Sequence, residues 1–209
     1  RDHLDHHDGM EEYFAAKARL FTELLLDGGS AVINIDDEHG VRLAAMLRDA
    51  KPRRHVIVTV GQDDSADFRI TAITAMEFGL EITVEHAGRG YRIPVALAGA
   101  FQAVNAVTAA VMAHVSGLPL HDTLFALPFV TGAEGRMQLV TGHPSGARVI
   151  VDYAHTPDAL QAALVALRPE AKGRLAVLFG AGGDRDAGKR PMMGKVAHEH
   201  ADIAYVTDD

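Results

Sequence analysis

Cysteine is absent from the 209 residues, which removes disulfides, thiolate metal sites and a cysteine nucleophile together. No apolar run approaches the roughly 20 residues that a membrane-spanning helix needs, and no basic-then-apolar leader opens the chain, so the sequence reads as cytoplasmic with no membrane partner. Basic residues are few. Lys plus Arg number 20 against 28 Asp plus Glu, a net charge of -8 with neutral His, which disfavours nucleic acid as a partner and leaves room only for a local anion site. What is present is ordinary for a globular protein: 48% hydrophobic and 23% charged residues supply a sizeable core and exclude disorder, collagen and fibre. The length accommodates one large domain or two small ones.

Both ends read as internal to a longer protein. The chain opens on the polar cluster Arg1-Asp2-His3-Leu4-Asp5-His6-His7-Asp8 and closes on a strand pattern, Ala204-Tyr205-Val206-Thr207, that stops on Asp208 and Asp209, where a strand-to-loop site is expected to begin.

Asp8, as an N-cap ahead of Glu11 and Glu12, and the recurrence of Met10, Phe14, Phe21, Leu24 and Leu25 predict a helix that stops at Gly28-Gly29. Ala31 to Ile35, a helical turn at Leu43 to Leu47, and the branched run His55 to Val60 predict a parallel strand-helix-strand unit. Alternation at Ile70 to Ala75, Gly79 to Glu85 and Tyr91 to Leu97 predicts an antiparallel meander. Phe101, Val104, Thr108, Val111 and Val115 form a helical stripe ended by Gly117 and Pro119, with a short helix from about Asp122. Past Arg136 come strands at Met137 to Val140 and Arg148 to Tyr153 around a turn at His143 to Gly146. A helix from Pro157 to Leu167, a strand at Leu175 to Phe179, a Gly-rich loop, a helix from about Pro191 and a strand at Ile203 to Thr207 follow. The expected class is α/β, with a partial central domain over residues 1–136 and the start of a Rossmann-like, doubly wound domain over 137–209, whose ligands bind beyond the carboxyl ends of its strands.

Six places are candidates for chemistry. Lys17 lies seven residues after Met10 and seven before Leu24, on an apolar stripe; either its stem snorkels or it is used neutral or modified, since burial disfavours the ammonium. Asp2, His3, Asp5, His6 and His7 offer oxygen and imidazole groups, equally a solvated terminus or a metal site. Gly180 to Pro191, between a strand and a helix, brings backbone N–H groups with Arg185, Lys189 and Arg190 to an anion, or is a solvated turn. Asp152-Tyr153-Ala154-His155-Thr156-Pro157 at a strand end either caps the next helix or offers a sugar acceptor and stacking rings. Asn105, on an apolar helix face, is a satisfied core amide or reads a base edge. Arg136 bridges two domains or reaches a phosphate.

These stretches resemble the Mur ligase family, in particular its UDP-N-acetylmuramoyl-tripeptide synthetases. The resemblance runs through Asp2 to Met10 with Ala15-Ala16-Lys17, Val32-Ile33-Asn34-Ile35-Asp36-Asp37, Phe101 to Asn105 and Gly135-Arg136-Met137. It continues through Val151 to Leu160 and Gly182 to Pro191, and so covers essentially the whole chain. It implies a central ATPase-type domain followed by the start of the family's C-terminal domain. The implied reaction is an ATP-dependent amide ligation: the carboxylate of UDP-MurNAc-L-Ala-D-Glu is phosphorylated, and the acyl phosphate is attacked by a diamino acid, meso-diaminopimelate or, alternatively, L-lysine. The resemblance further implies carbamylation of Lys17, with the carbamate and His3 binding Mg2+, and nucleotide contacts from Asn105, Arg136, Asp152 and His155. Lys189 would serve as a phosphate-side cation, Arg185 would hold the amino acid's carboxylate and Asp209 would start the specificity loop; a monomer is expected. Two departures touch no expected ligand: Gln102 stands where the family more usually has Asn, and His6 where it has Tyr. The family's Gly-Lys-Thr or Gly-Lys-Ser phosphate loop is missing from these residues, so this chain alone is expected to be inactive. Cyanophycin synthetase, folylpolyglutamate synthase and a binding-only nucleotide domain are the competing readings.

Overall fold

The structure, a computed structural model, describes residues 9–52, 54–76, 79–140, 143–144, 146–181 and 188–208. It divides into two units. The first comprises Arg1–Ala96 with Gln102–Val130, the second Leu97–Phe101 with Thr131–Asp209.

In the first unit, helix α1 spans Met10–Arg19 and widens into a π-helical turn at Leu20–Leu24. Asp8, expected to cap it, lies outside the described residues, and Gly9 occupies the N-cap position. The chain then turns through Gly28, at φ 84°, whose N–H donates to the Arg54 carbonyl. Strand β1 (Ser30–Asn34), helix α2 (Glu38–Asp49) and strand β2 (Val56–Gly61) make the predicted parallel unit. Helix α2 is longer than its apolar turn alone indicated because Asp37 caps it, accepting from the Gly40 N–H at 2.8 Å.

Strands β3 (Phe68–Ala75), β4 (Leu80–His86) and β5 (Arg89–Val95) form the predicted meander and extend the same sheet, in the order β1-β2-β3-β4-β5. The β2–β3 pairing is parallel and only two residue pairs long. A polar knot reinforces it: fully buried Thr59 donates its N–H and its Oγ1 hydroxyl to Asp67 Oδ2, each at 2.8 Å, and its Oγ1 accepts from the Asp67 N–H at 2.9 Å, so burial leaves neither polar group unsatisfied. Leu80, Ile82 and Val84 alternate inward along β4. Helix α3 (Ala100–Val115) turns Ala103, Val104, Val107, Ala110 and Val111 inward, and His114 on it meets Phe68 of β3 edge-on. A short α4 (Leu120–Phe125) follows Pro119, starting two residues earlier than expected.

The second unit begins with an antiparallel pair, β6 (Gln138–Val140) and β7 (Val149–Val151). Helix α5 (Pro157–Leu167), β8 (Ala176–Gly180), α6 (Lys189–His200) and β9 (Ile203–Thr207) then give a parallel β8–β9 crossover of the Rossmann type. Leu160 and Leu164 of α5 and Met193 and Val196 of α6 form its core, with Val177 and Phe179 packed against them. Helix α6 starts before Pro191, which sits in the first turn where its missing N–H has no intrahelical partner.

Candidate functional site

Two strand ends in the second unit carry polar groups. At the first, Val151 hands over to Asp152-Tyr153-Ala154-His155, and Thr156 caps α5 by accepting the Ala159 N–H at 3.2 Å, with Pro157 opening the helix. The segment before β6 folds against this end. Gly135 and Met137 both hold left-handed backbone, φ 66° and 49°; the Gly135 N–H donates to Gln138 Oε1 at 2.9 Å and the Met137 N–H to Asp152 Oδ2 at 2.8 Å. Between them Arg136 is exposed, its guanidinium carbon 4.8 Å from the centre of the Tyr153 ring. The Tyr153 ring lies 5.1 Å from that of His155, and His155 Nδ1 stands 3.1 Å from the Tyr153 carbonyl, a bond that requires the proton on Nδ1. A guanidinium, a phenol ring, an imidazole and a carboxylate thus share one strand end. Arginine suits phosphate, the two rings suit a base or sugar face, and the carboxylate suits hydroxyls.

At the second strand end, β8 runs into the Gly-rich loop. Arg185 lies outside the described residues. Lys189 is half-buried at the start of α6, and Arg190 Nε donates to the Ala181 carbonyl at 3.0 Å. That bond ties the two feet of the loop, so Arg190, expected as an anion donor, has a structural task.

The first unit corrects two expectations. Lys17 is exposed, not core-facing; its Nζ lies 5.4 Å from the Tyr13 ring centre. The residues at heptad spacing from it, Met10 and Leu24, are themselves 44% and 68% exposed, and Leu24 lies in the π-helical turn, where the α-helical period no longer holds, whereas the inward face of the segment runs through Phe14, Ala18, Phe21 and Leu25. Asn105 is likewise exposed, on the side of α3 that carries Phe101 and Met112, with its amide 3.5 Å from Gln102 Oε1. His3 and Asp209 fall outside the described residues. Among the described residues no three His, Asp or Glu gather into a group able to hold a metal ion.

Sequence reasoning passed over Glu170 and Gly99. The Glu170 side chain is only 6% exposed; its Oε1 accepts the Gly99 N–H at 3.1 Å and its Oε2 an Arg148 N–H at 2.9 Å. A charge after Arg168-Pro169 looks like a solvated helix end, and nothing local signals its distant partners.

An α/β chain with polar groups clustered at the carboxyl ends of its strands is the general class these features define. The chain belongs to the Mur ligase family: the Mur ligase middle domain matches residues 1–113, and the Mur ligase glutamate ligase domain matches residues 135–209. It is 46% identical, over its full length, to a UDP-N-acetylmuramoyl-L-alanyl-D-glutamate--2,6-diaminopimelate ligase of Bradyrhizobium diazoefficiens, of which it covers 43%. It is 44% identical over its full length to the Caulobacter vibrioides protein of the same name, of which it covers 42%. The chain therefore spans under half the length of these relatives. A solved UDP-N-acetylmuramoyl-L-alanyl-D-glutamate--2,6-diaminopimelate ligase matches all of the chain at 34% identity and a TM-score of 0.73, with 42% of that structure covered. Folylpolyglutamate synthetase from Lactobacillus casei matches 96% of the chain, and 48% of its own, at 18% identity and a TM-score of 0.70, a likeness of fold alone.

Proposed function

We propose that the full-length protein carrying this chain is the ATP-dependent ligase that joins meso-diaminopimelate to UDP-MurNAc-L-Ala-D-Glu in peptidoglycan precursor synthesis, acting as a monomer in the cytoplasm. The observation that carries the reading is the Arg136–Tyr153–His155–Asp152 cluster, in a chain 46% identical to a ligase named for that reaction. In this reading residues 1–136 belong to the central domain and 137–209 to the C-terminal domain. Among the described residues no helix is long and apolar enough to cross a membrane.

The residues divide the work by their chemistry. Arg136 binds nucleotide phosphate through charge-assisted hydrogen bonds, with Lys189 as a second cation. Asp152 accepts from ribose hydroxyls, the rings of Tyr153 and His155 line the nucleotide, and exposed Asn105 is available to an adenine edge. Arg185 and Asp209 serve the incoming amino acid. Such a site acts chiefly by holding phosphate donor, carboxylate and amine in line and by stabilising charge as it develops.

Magnesium neutralises nucleotide phosphates when bound, and Lys17 with His3 would hold it. An ammonium is no metal ligand; carbon dioxide adds only to the neutral amine, with release of a proton, and exposed Lys17 is sterically open to that addition, which would give a carbamate, an anionic oxygen donor suited to a hard cation. In the full-length protein Lys17→Ala should abolish turnover, with partial recovery in a short carboxylic acid. An undiminished rate would overturn the carbamate reading.

The whole proposal is tested by ATP-dependent phosphate release with UDP-MurNAc-L-Ala-D-Glu, comparing meso-diaminopimelate with L-lysine. Release dependent on meso-diaminopimelate supports it. Release with L-lysine alone reassigns the amino acid, and release with neither, from folded protein, removes the ligase reading.

A further inference from the structure

The residue after Arg136 is restrained at two points, its side chain and its amide. Met137 holds φ at 49°, a left-handed backbone that costs an L residue with a bulky side chain on the order of 1 kcal/mol and persists only where the surroundings impose it. Its side chain is 4% exposed, packed in a small core with Ala98 and Ala163. Its N–H is taken by Asp152 Oδ2 at 2.8 Å. Apolar burial thus pulls the side chain one way while a carboxylate fixes the amide, and the backbone between them is held in the unusual conformation.

The floor beneath Met137 is built as firmly. Ala98 lies on the segment Leu97–Phe101, which belongs to the second unit. The Gly99 N–H donates to nearly buried Glu170. At Gly99, φ is 83°, a backbone that strains an L side chain, and a Cβ would crowd Met137 Cε at 3.2 Å.

Arg136 is launched from this turn. A long exposed side chain has many rotamers, so what a protein can set is the direction in which its Cα–Cβ bond leaves the backbone. We infer that Met137 is a positioning residue: its buried side chain and carboxylate-bound amide set the left-handed turn that directs Arg136 to the nucleotide phosphates. This rests on the ATP reading above.

The test is a double-mutant cycle in the full-length protein, with ATP varied at saturating co-substrates. Met137→Ala should raise KM for ATP about tenfold, the scale of one charge-assisted hydrogen bond, while KM for the diamino acid is unchanged. Met137→Leu, which keeps the volume, should stay within about twofold of wild type. Arg136→Ala should raise KM for ATP likewise, and the double variant should be no worse than Arg136→Ala alone, because Met137 acts through Arg136. A residue that merely supports folding would lower kcat through the active fraction and leave KM for ATP alone; that result, or additive effects in the cycle, overturns the inference. A readout independent of turnover is amide hydrogen exchange at residues 135–137. Faster exchange there in Met137→Ala, with α5 still protected, supports the inference, and unchanged exchange overturns it. If wild-type protein shows no ATP-dependent release, the ligase reading fails by itself and the exchange result still decides whether Met137 holds the turn.

Discussion

The guanidinium of Arg136 lies against a tyrosine ring, an attraction of about 0.5–1 kcal/mol at an exposed position. Tyr153→Ala should therefore weaken ATP binding by roughly two- to fivefold, and Tyr153→Phe, which keeps the ring, should not; titration of ATP into the two variants checks this. Equal loss in both would assign the effect to the hydroxyl. The grouping of Asp152, Tyr153 and His155 is legible because they are nearly contiguous and follow a strand. Lys17 and Asn105 were misplaced for a common reason: helical spacing tells which residues share a face, but not which face is buried. Met10 and Leu24 on one helix and Phe101 on the other looked like core and are exposed. Met137 was illegible as a support because nothing in its type announces a left-handed backbone.

Helices α2 and α5 both start just beyond a strand and carry side-chain caps, Asp37 and Thr156. Asp37→Ala and Thr156→Ala should each cost about 1 kcal/mol, read by urea denaturation, while Asp37→Asn, which keeps an acceptor, should cost less. A second connection joins the end of α5 to the start of β9. Arg168 bonds Asp202 at 2.7 Å, the Leu175 N–H bonds the same oxygen at 2.7 Å, and together they hold the Asp202 carboxyl below its ordinary value. A carboxylate whose pKa is lowered on folding stabilises the fold above its unfolded pKa, and that contribution is lost as pH falls through the folded value. Arg168→Ala should accordingly flatten the acid limb of stability against pH below about pH 4, measured by denaturation across that range; an unchanged limb would show that the pair adds nothing. Elements were the most legible scale, because the meander alternates with period two and Thr156-Pro157 marks the start of α5. Their ends shifted where Asp37 extended α2 and where Pro191 fell inside α6.

Among the described residues of each unit, several large apolar side chains face outward. Phe129 is 85% exposed, Leu26 81%, and Leu178, with its register partner Tyr205, 70% and 57%. The 209-residue chain on its own should bind a hydrophobic dye and self-associate as concentration rises, read by fluorescence and light scattering; a monodisperse, dye-silent chain would contradict this. The strap Leu97–Phe101 was invisible in the sequence, since Leu97-Ala98-Gly99-Ala100 shows no period and its partners Glu170 and Met137 lie far along the chain. Because of that strap the polypeptide visits the second unit twice. A fragment begun at residue 131 would leave the Glu170 carboxylate without its Gly99 donor and Met137 without Ala98. A recombination that moved residues 131–208 onto another protein would have to bring residues 97–101 with them, from a separate stretch of the chain.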